Sequence, residues 1–148
     1  MTRVDFYISP SHAAQARHQL ACRIAEKAYQ QDYRIYIHTG SSEEARRVDD
    51  LLWTFRQGSF LPHGLYGSDE QDDCAIVIGH QSDAPSTKKD VLINLAQDVP
   101  LFFSQFERVA EMINADDAQK QHGRERYRFY RDRGYELNTH QLKESYGG

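Results

Sequence analysis

The residues with the clearest capacity for chemistry lie near the C-terminal end. Between positions 120 and 133 the chain reads Lys120-Gln121-His122-Gly123-Arg124-Glu125-Arg126-Tyr127-Arg128-Phe129-Tyr130-Arg131-Asp132-Arg133, which is six cations and two acids, a net +4 in 14 residues. At about 100° per helical residue, Lys120, Arg124, Tyr127 and Arg131 share one narrow sector, with Arg128 at its edge. Ala118, His122 and Phe129 fall on the opposite side, which is expected to be the packed face. Outward cations with an aromatic among them suit an acidic or carboxylate-bearing partner. Arg offers a forked, bidentate contact, and Tyr offers a ring and a hydroxyl. A solvated helix end, favoured by the helix dipole, would have the same composition.

A second cluster runs Leu51-Leu52-Trp53-Thr54-Phe55 and then Gly58-Ser59-Phe60-Leu61-Pro62-His63, with the only Trp of the chain. Its apolar residues leave a helix and enter a Pro/Gly loop. Loop aromatics are candidate interface anchors, and Trp is enriched among residues that dominate binding energy. The alternative use of Trp53 and Phe60 is to cover the core.

Other chemistries find little support. The first strand-to-helix turn, Ile8-Ser9-Pro10-Ser11-His12, has no glycine, so its backbone is not free to approach a pyrophosphate. No G-x-x-x-x-G-K-[ST] is present, and Ser86-Thr87-Lys88-Lys89 lacks the glycines that present N–H groups to phosphate. Among the seven histidines, none pairs at i, i+4 and none stands beside a Cys, so no metal-ligand pattern emerges. Cys22 and Cys74 form no C-x-x-C and read as reduced core thiols. A nucleophilic pair of Cys74 with His38 or His80 has nothing in the sequence to position it.

The elements that must carry these residues follow from the apolar pattern. Val4–Ile8, Arg34–His38, Ala75–Ile78 and Val91–Leu95 read as strands, the third buried on both faces. Ser11 is placed to cap a helix reaching Gln31, and Ser42 to start one with Val48, Leu51, Leu52 and Phe55 on its apolar stripe. Residues 58–73 read as a loop. Leu101–Phe106 suits a short helix or turn, and 106–113 is read as a strand over a helix. Asp116 or Asp117 can cap the basic helix, and Gly134 stops it. Tyr135–Asn138 suits a short closing strand. Strands alternating with helices predict a Rossmann-like, three-layer α/β domain over residues 1–142, with a largely parallel sheet. Residues 143–148 read as a polar, frayed tail.

Composition sets the outer limits. The chain has 148 residues and a net charge of −4, from 18 Lys plus Arg and 22 Asp plus Glu. Outside 120–133 there remain 12 cations and 20 acids, a net of −8. An acidic body argues against strong direct DNA binding. No apolar run approaches a membrane span. The opening MTRVDFYISP has neither apolar h-region nor cleavage site, so a cytoplasmic location is expected.

Short motifs in a fixed order then become recognisable. Asp5-Phe6-Tyr7, Leu52-Trp53 with Ser59-Phe60-Leu61-Pro62-His63, and Lys89-Asp90-Val91-Leu92-Ile93-Asn94-Leu95 occur in turn. Lys120-Gln121, Arg124-Glu125-Arg126-Tyr127, Tyr130-Arg131, Gly134 and Leu137-Asn138-Thr139 follow. Together they resemble the chi subunit of bacterial DNA polymerase III, a clamp-loader accessory protein. The resemblance implies two binding faces, no catalysis and no cofactor. One face would bind the acidic C-terminal tail of single-stranded DNA-binding protein. There Arg124 would hold the terminal Phe carboxylate, Lys120, Tyr127, Arg128 and Arg131 would line the groove, and Ile113 would wall the Phe pocket. The other face would bind the psi subunit through Trp53 and Phe60, with Leu61, Pro62 and His63 completing the loop. A helicase-like repair protein is a further partner implied for that face. Asn114-Ala115 departs from the Pro and aromatic often found there in the family. A nucleotide-binding α/β enzyme without a recognisable phosphate loop is the alternative function.

Overall fold

The computed structural model describes residues 2–58, 60–67, 74–85 and 89–143. They form seven strands and three helices: β1 (Arg3–Ile8), α1 (Ala16–Gln30), β2 (Ile35–His38), α2 (Ser42–Thr54), β3 (His63–Leu65), β4 (Ile76–Gly79), β5 (Val91–Asn94), β6 (Arg108–Ile113), α3 (Asp117–Asp132) and β7 (Glu136–Gln141), so strand and helix alternate at both ends, while β3 to β6 follow one another with no described α-helix between them. One sheet holds all seven strands in the order β3-β4-β2-β5-β6-β1-β7. Every pairing is parallel. The expected parallel sheet is therefore present, with α1 and α2 on one face and α3 on the other.

Period-two alternation divides the core into two layers. Ile35, Ile37, Ile76, Ile78, Val91, Ile93, Ala110 and Met112 face α1 and α2, where they meet Leu20, Cys22, Ala25, Val48 and Leu52. Val4, Phe6, Tyr36, Leu92, Val109 and Ile113 face the other way and pack with Tyr130 of α3 and with Phe102, Phe103 and Phe106. Those last aromatics surround a 3₁₀ turn, Phe103–Gln105. Residues 108–113 form a strand, as read, because all but the first are buried and their alternation serves two different layers.

Several elements differ from the sequence reading. α1 begins at Ala16 and not at Ser11, because the Ser11 hydroxyl is occupied by the Ala13 amide at 3.0 Å in a local turn. β3 lies inside the stretch read as a loop. Only three residues long and half-buried, it leaves no periodic signal, and its pairing with β4 creates it. β7 runs to Gln141, beyond the expected Asn138, because β1 offers a six-residue template. The cap of α2 is Ser41, one residue before the serine read as its start, and the Glu44 side chain reaches back to the Gly40 amide at 2.7 Å. Residues 144–148 of the expected tail, and Ser86, Thr87 and Lys88 of the weak phosphate-loop substitute, lie outside the described residues. No described helix is long and apolar enough to cross a membrane.

Candidate binding faces

α3 starts where the sequence places it. The Asp116 carboxylate accepts the Gln119 amide at 3.1 Å, Asp117 sits in the first turn, and Gly134 adopts the left-handed φ of 79° after the last turn. Its packed face is not the expected one. Gly123, Arg126 and Tyr130 are buried, whereas Ala118 is exposed and His122 and Phe129 are only partly covered. The cause is a polar anchor beneath the helix. Glu111, fully buried in β6, accepts Arg126 Nε at 2.7 Å, the Tyr130 hydroxyl at 2.7 Å and Asn94 Nδ2 at 3.0 Å. Arg126 also donates to the Gln97 carbonyl at 3.0 Å. Each carboxylate oxygen is thus satisfied, which a buried charge requires. Burial and the adjacent Glu111 carboxylate push the Tyr130 phenol well up.

Gly123 permits the close approach. A Cβ there would overlap the end of the Ile113 side chain, so glycine lets α3 settle on the end of β6 without displacing it. The rotation sets the basic sector roughly 90° from the buried stripe, as a flank and not as the outer pole. That flank overlooks β1 and β7. Arg126 reaches toward the residues following β5, and Tyr127, on the other side of the helix, packs on Phe6 of β1 with ring centroids 5.2 Å apart.

Lys120, Arg124, Arg128 and Arg131 are exposed, and Tyr127 is half-buried. Among the described residues Lys120, Arg124 and Arg128 have no carboxylate partner, and Arg131 holds only the exposed Asp132 at 3.4 Å. Arg133 stacks 3.5 Å over the Phe129 ring and donates to its carbonyl, so it closes the helix end. Ile113 is buried under Gly123 and lies beneath this flank. Asn114, where the family pattern differs, is also buried. Its amide donates to Ala13 and its oxygen accepts from Asp116, so it ties the end of β6 to the first loop and to the start of α3.

The second cluster sits at the far end of the sheet. Trp53 and Phe60 are 54% and 69% exposed, with rings 5.8 Å apart. They do not cover the core. Leu61 does, and the His63 ring has no exposed surface. His63 lies 2.6 Å from the Leu61 carbonyl, 3.1 Å from the Asp49 carbonyl and 4.6 Å from the Trp53 ring. Leu61 and His63 thus hold the loop and the indole in place, while the half-buried Pro62 flanks them.

The other chemistries lose their geometry. The Ser9 amide donates to Ile113 and the Ala115 amide to Ser11, both at 2.8 Å, and the Ser11 amide donates to Ser9 Oγ. The first strand-to-helix turn is therefore knitted to the end of β6 where a nucleotide would need room. Cys74 lies beside Arg34 at the opening of the β2–β4 pair, and His38 and His80 lie at its close, so no thiol–imidazole pair forms. Burial pushes the Cys22 thiol up to about 12.

The residues whose anchoring role sequence reading missed are Glu111, Arg126, Tyr130 and Asn94, with Gly123 as the point of close approach. Their signal is a single acid inside the apolar run Val109–Ile113, and Gly123, Arg126 and Tyr130 at i, i+3, i+7.

Against known proteins, residues 1–138 match the family model described as the DNA polymerase III chi subunit, HolC. The chain belongs to the DNA polymerase III chi subunit family. A curated DNA polymerase III subunit chi of Pseudomonas aeruginosa is 42% identical over 142 residues, covering 96% of this chain and 98% of that one. The Escherichia coli subunit chi is 33% identical over 121 residues, 82% of each chain. Solved structures share the fold at 11% identity. A T4 UvsW structure gives a TM-score of 0.67 over 95% of this chain and 41% of its own. Mss116p DEAD-box helicase domain 2, bound to an RNA duplex, gives 0.61 over 96% of this chain and 64% of its own.

Proposed function

We propose that this chi-family chain is a non-catalytic adaptor of the DNA polymerase III clamp loader, linking the acidic tail of single-stranded DNA-binding protein to the psi subunit. The observation that carries the reading is the flank of α3. Lys120, Arg124 and Arg131 stand exposed beside a half-buried Tyr127, on a body that is otherwise acidic. Arg124 takes the terminal carboxylate of the tail, and Lys120, Tyr127, Arg128 and Arg131 line its path. Ile113 walls the pocket for the terminal Phe. Trp53 and Phe60 form the psi face, which a helicase-like repair protein shares, and Leu61, Pro62 and His63 support it.

The two faces do not compete for space. Trp53 contacts β3 through His63, and Tyr127 contacts β1 through Phe6. Five strand spacings separate β3 from β1 in the sheet order, roughly 24 Å, and α2 and α3 lie on opposite faces.

Titration of a tail peptide against wild type and Arg124→Ala tests the tail site. The expected result is at least a tenfold loss in the variant, and equal affinity would remove Arg124 from the site. Thermal-shift screening with nucleotides tests the enzyme alternative, for which clear stabilisation by ATP or NAD would speak.

A further inference from the structure

The sheet edge beside the basic flank is formed by β7. β7 is the last strand, and among the described residues no strand pairs with its outer side. The Leu142 amide donates to the Ile8 carbonyl at 2.9 Å. In a parallel ladder, successive residues bond to alternate sides. Glu136, Asn138 and His140 therefore bond inward to β1, and Leu137, Thr139 and Gln141 turn their N–H and C=O groups outward. These same three stand in register with Val4, Phe6 and Ile8, whose side chains point into the α3 layer. The outward backbone groups and the basic flank thus border one trough.

Among the described residues, the outward-bonding positions of this edge carry no feature that blocks pairing. Natural edge strands usually carry Lys, Pro or a bulge at such positions, and Leu137, Thr139 and Gln141 are uncharged and can all extend. Length also matches. Lys120 to Arg131 spans about 16 Å of helix, and six residues of β7 span about 20 Å.

We propose that an extended acidic peptide lies in this trough as an eighth strand. Its backbone pairs with Leu137, Thr139 and Gln141, and its carboxylates face Lys120, Arg124 and Arg131. The inference rests on the proposed role of the α3 flank and adds the mode of binding. Main-chain pairing supplies affinity that is tolerant of sequence, and the cations select acidic chains.

Amide hydrogen exchange on the full chain, with and without a saturating tail peptide, reads the pairing directly. The amides of Leu137, Thr139 and Gln141 should become protected, while those of Glu136, Asn138 and His140 stay as they were. Thr139→Pro removes one outward N–H and leaves the inner ladder intact, so affinity should fall by roughly three- to tenfold, the loss of one hydrogen bond. A peptide N-methylated at alternate amides should weaken against wild type in one alternation and not in the other, which decides the matter if Thr139→Pro fails to fold. Unchanged exchange at the three amides, with binding still dependent on Arg124, would overturn the added strand and leave the α3 site standing. Binding indifferent to Arg124→Ala would overturn the site reading itself.

Discussion

Glu111 shows how much one side chain decides. It sits among apolar residues of β6, yet it receives a guanidinium, a phenol and a carboxamide, and these fix the rotation of α3. Breaking such a pair leaves one charge buried alone. Arg126→Leu or Glu111→Leu should each cost about 3–5 kcal/mol in urea unfolding, and the double variant much less than the sum. Additive losses would mean that the pair is not coupled. His38 offers a second test at this scale. Burial, with His80 nearby, lowers its pKa from 6.5 to about 4. Between those values the unfolded chain binds the proton and the folded chain does not, so stability should fall as pH drops from about 6.5 to 4. His38→Phe should flatten that part of the pH profile, and an unchanged slope would assign it to other groups.

At the scale of elements, α3 illustrates what was legible and what was not. Its start, its end and its basic sector could be read from Asp116, Gly134 and the spacing of Lys120, Arg124 and Arg131. Its rotation could not. Apolar periodicity points to Ala118, His122 and Phe129, but this helix is turned by an ion pair and a glycine approach, which carry no apolar weight, and these bring Tyr130 and not Phe129 into the core. The strands with continuous apolar runs were readable, whereas β3 exists only through its pairing with β4. Likewise Trp53 and Phe60 stood out by type, but that Leu61 and His63 are supports depends on tertiary packing. The approach of α3 predicts a sign change in a mutant cycle. Gly123→Ala gains about 1 kcal/mol of helix propensity but collides with Ile113. It should destabilise wild type and stabilise an Ile113→Ala background, as read by the denaturation midpoint. A gain in both would deny the contact.

The whole molecule is an acidic body with one cationic flank, and its sheet places two candidate interfaces far apart. Exposed charges are screened by salt, so tail-peptide affinity should fall steeply between about 50 and 300 mM salt, mostly through slower association. Psi binding through Trp53 and Phe60 should change little over that range. A weak salt slope for the peptide would indicate a chiefly apolar contact. If the α3 flank and the Trp53 face act as proposed, one chain holds both partners at once. Analytical ultracentrifugation of the chain with psi and a labelled tail peptide measures this directly. A three-component complex is expected, with Arg124→Ala losing only the peptide and Trp53→Ala losing only psi. Mutual exclusion of the two ligands, or loss of both from either variant, would contradict it.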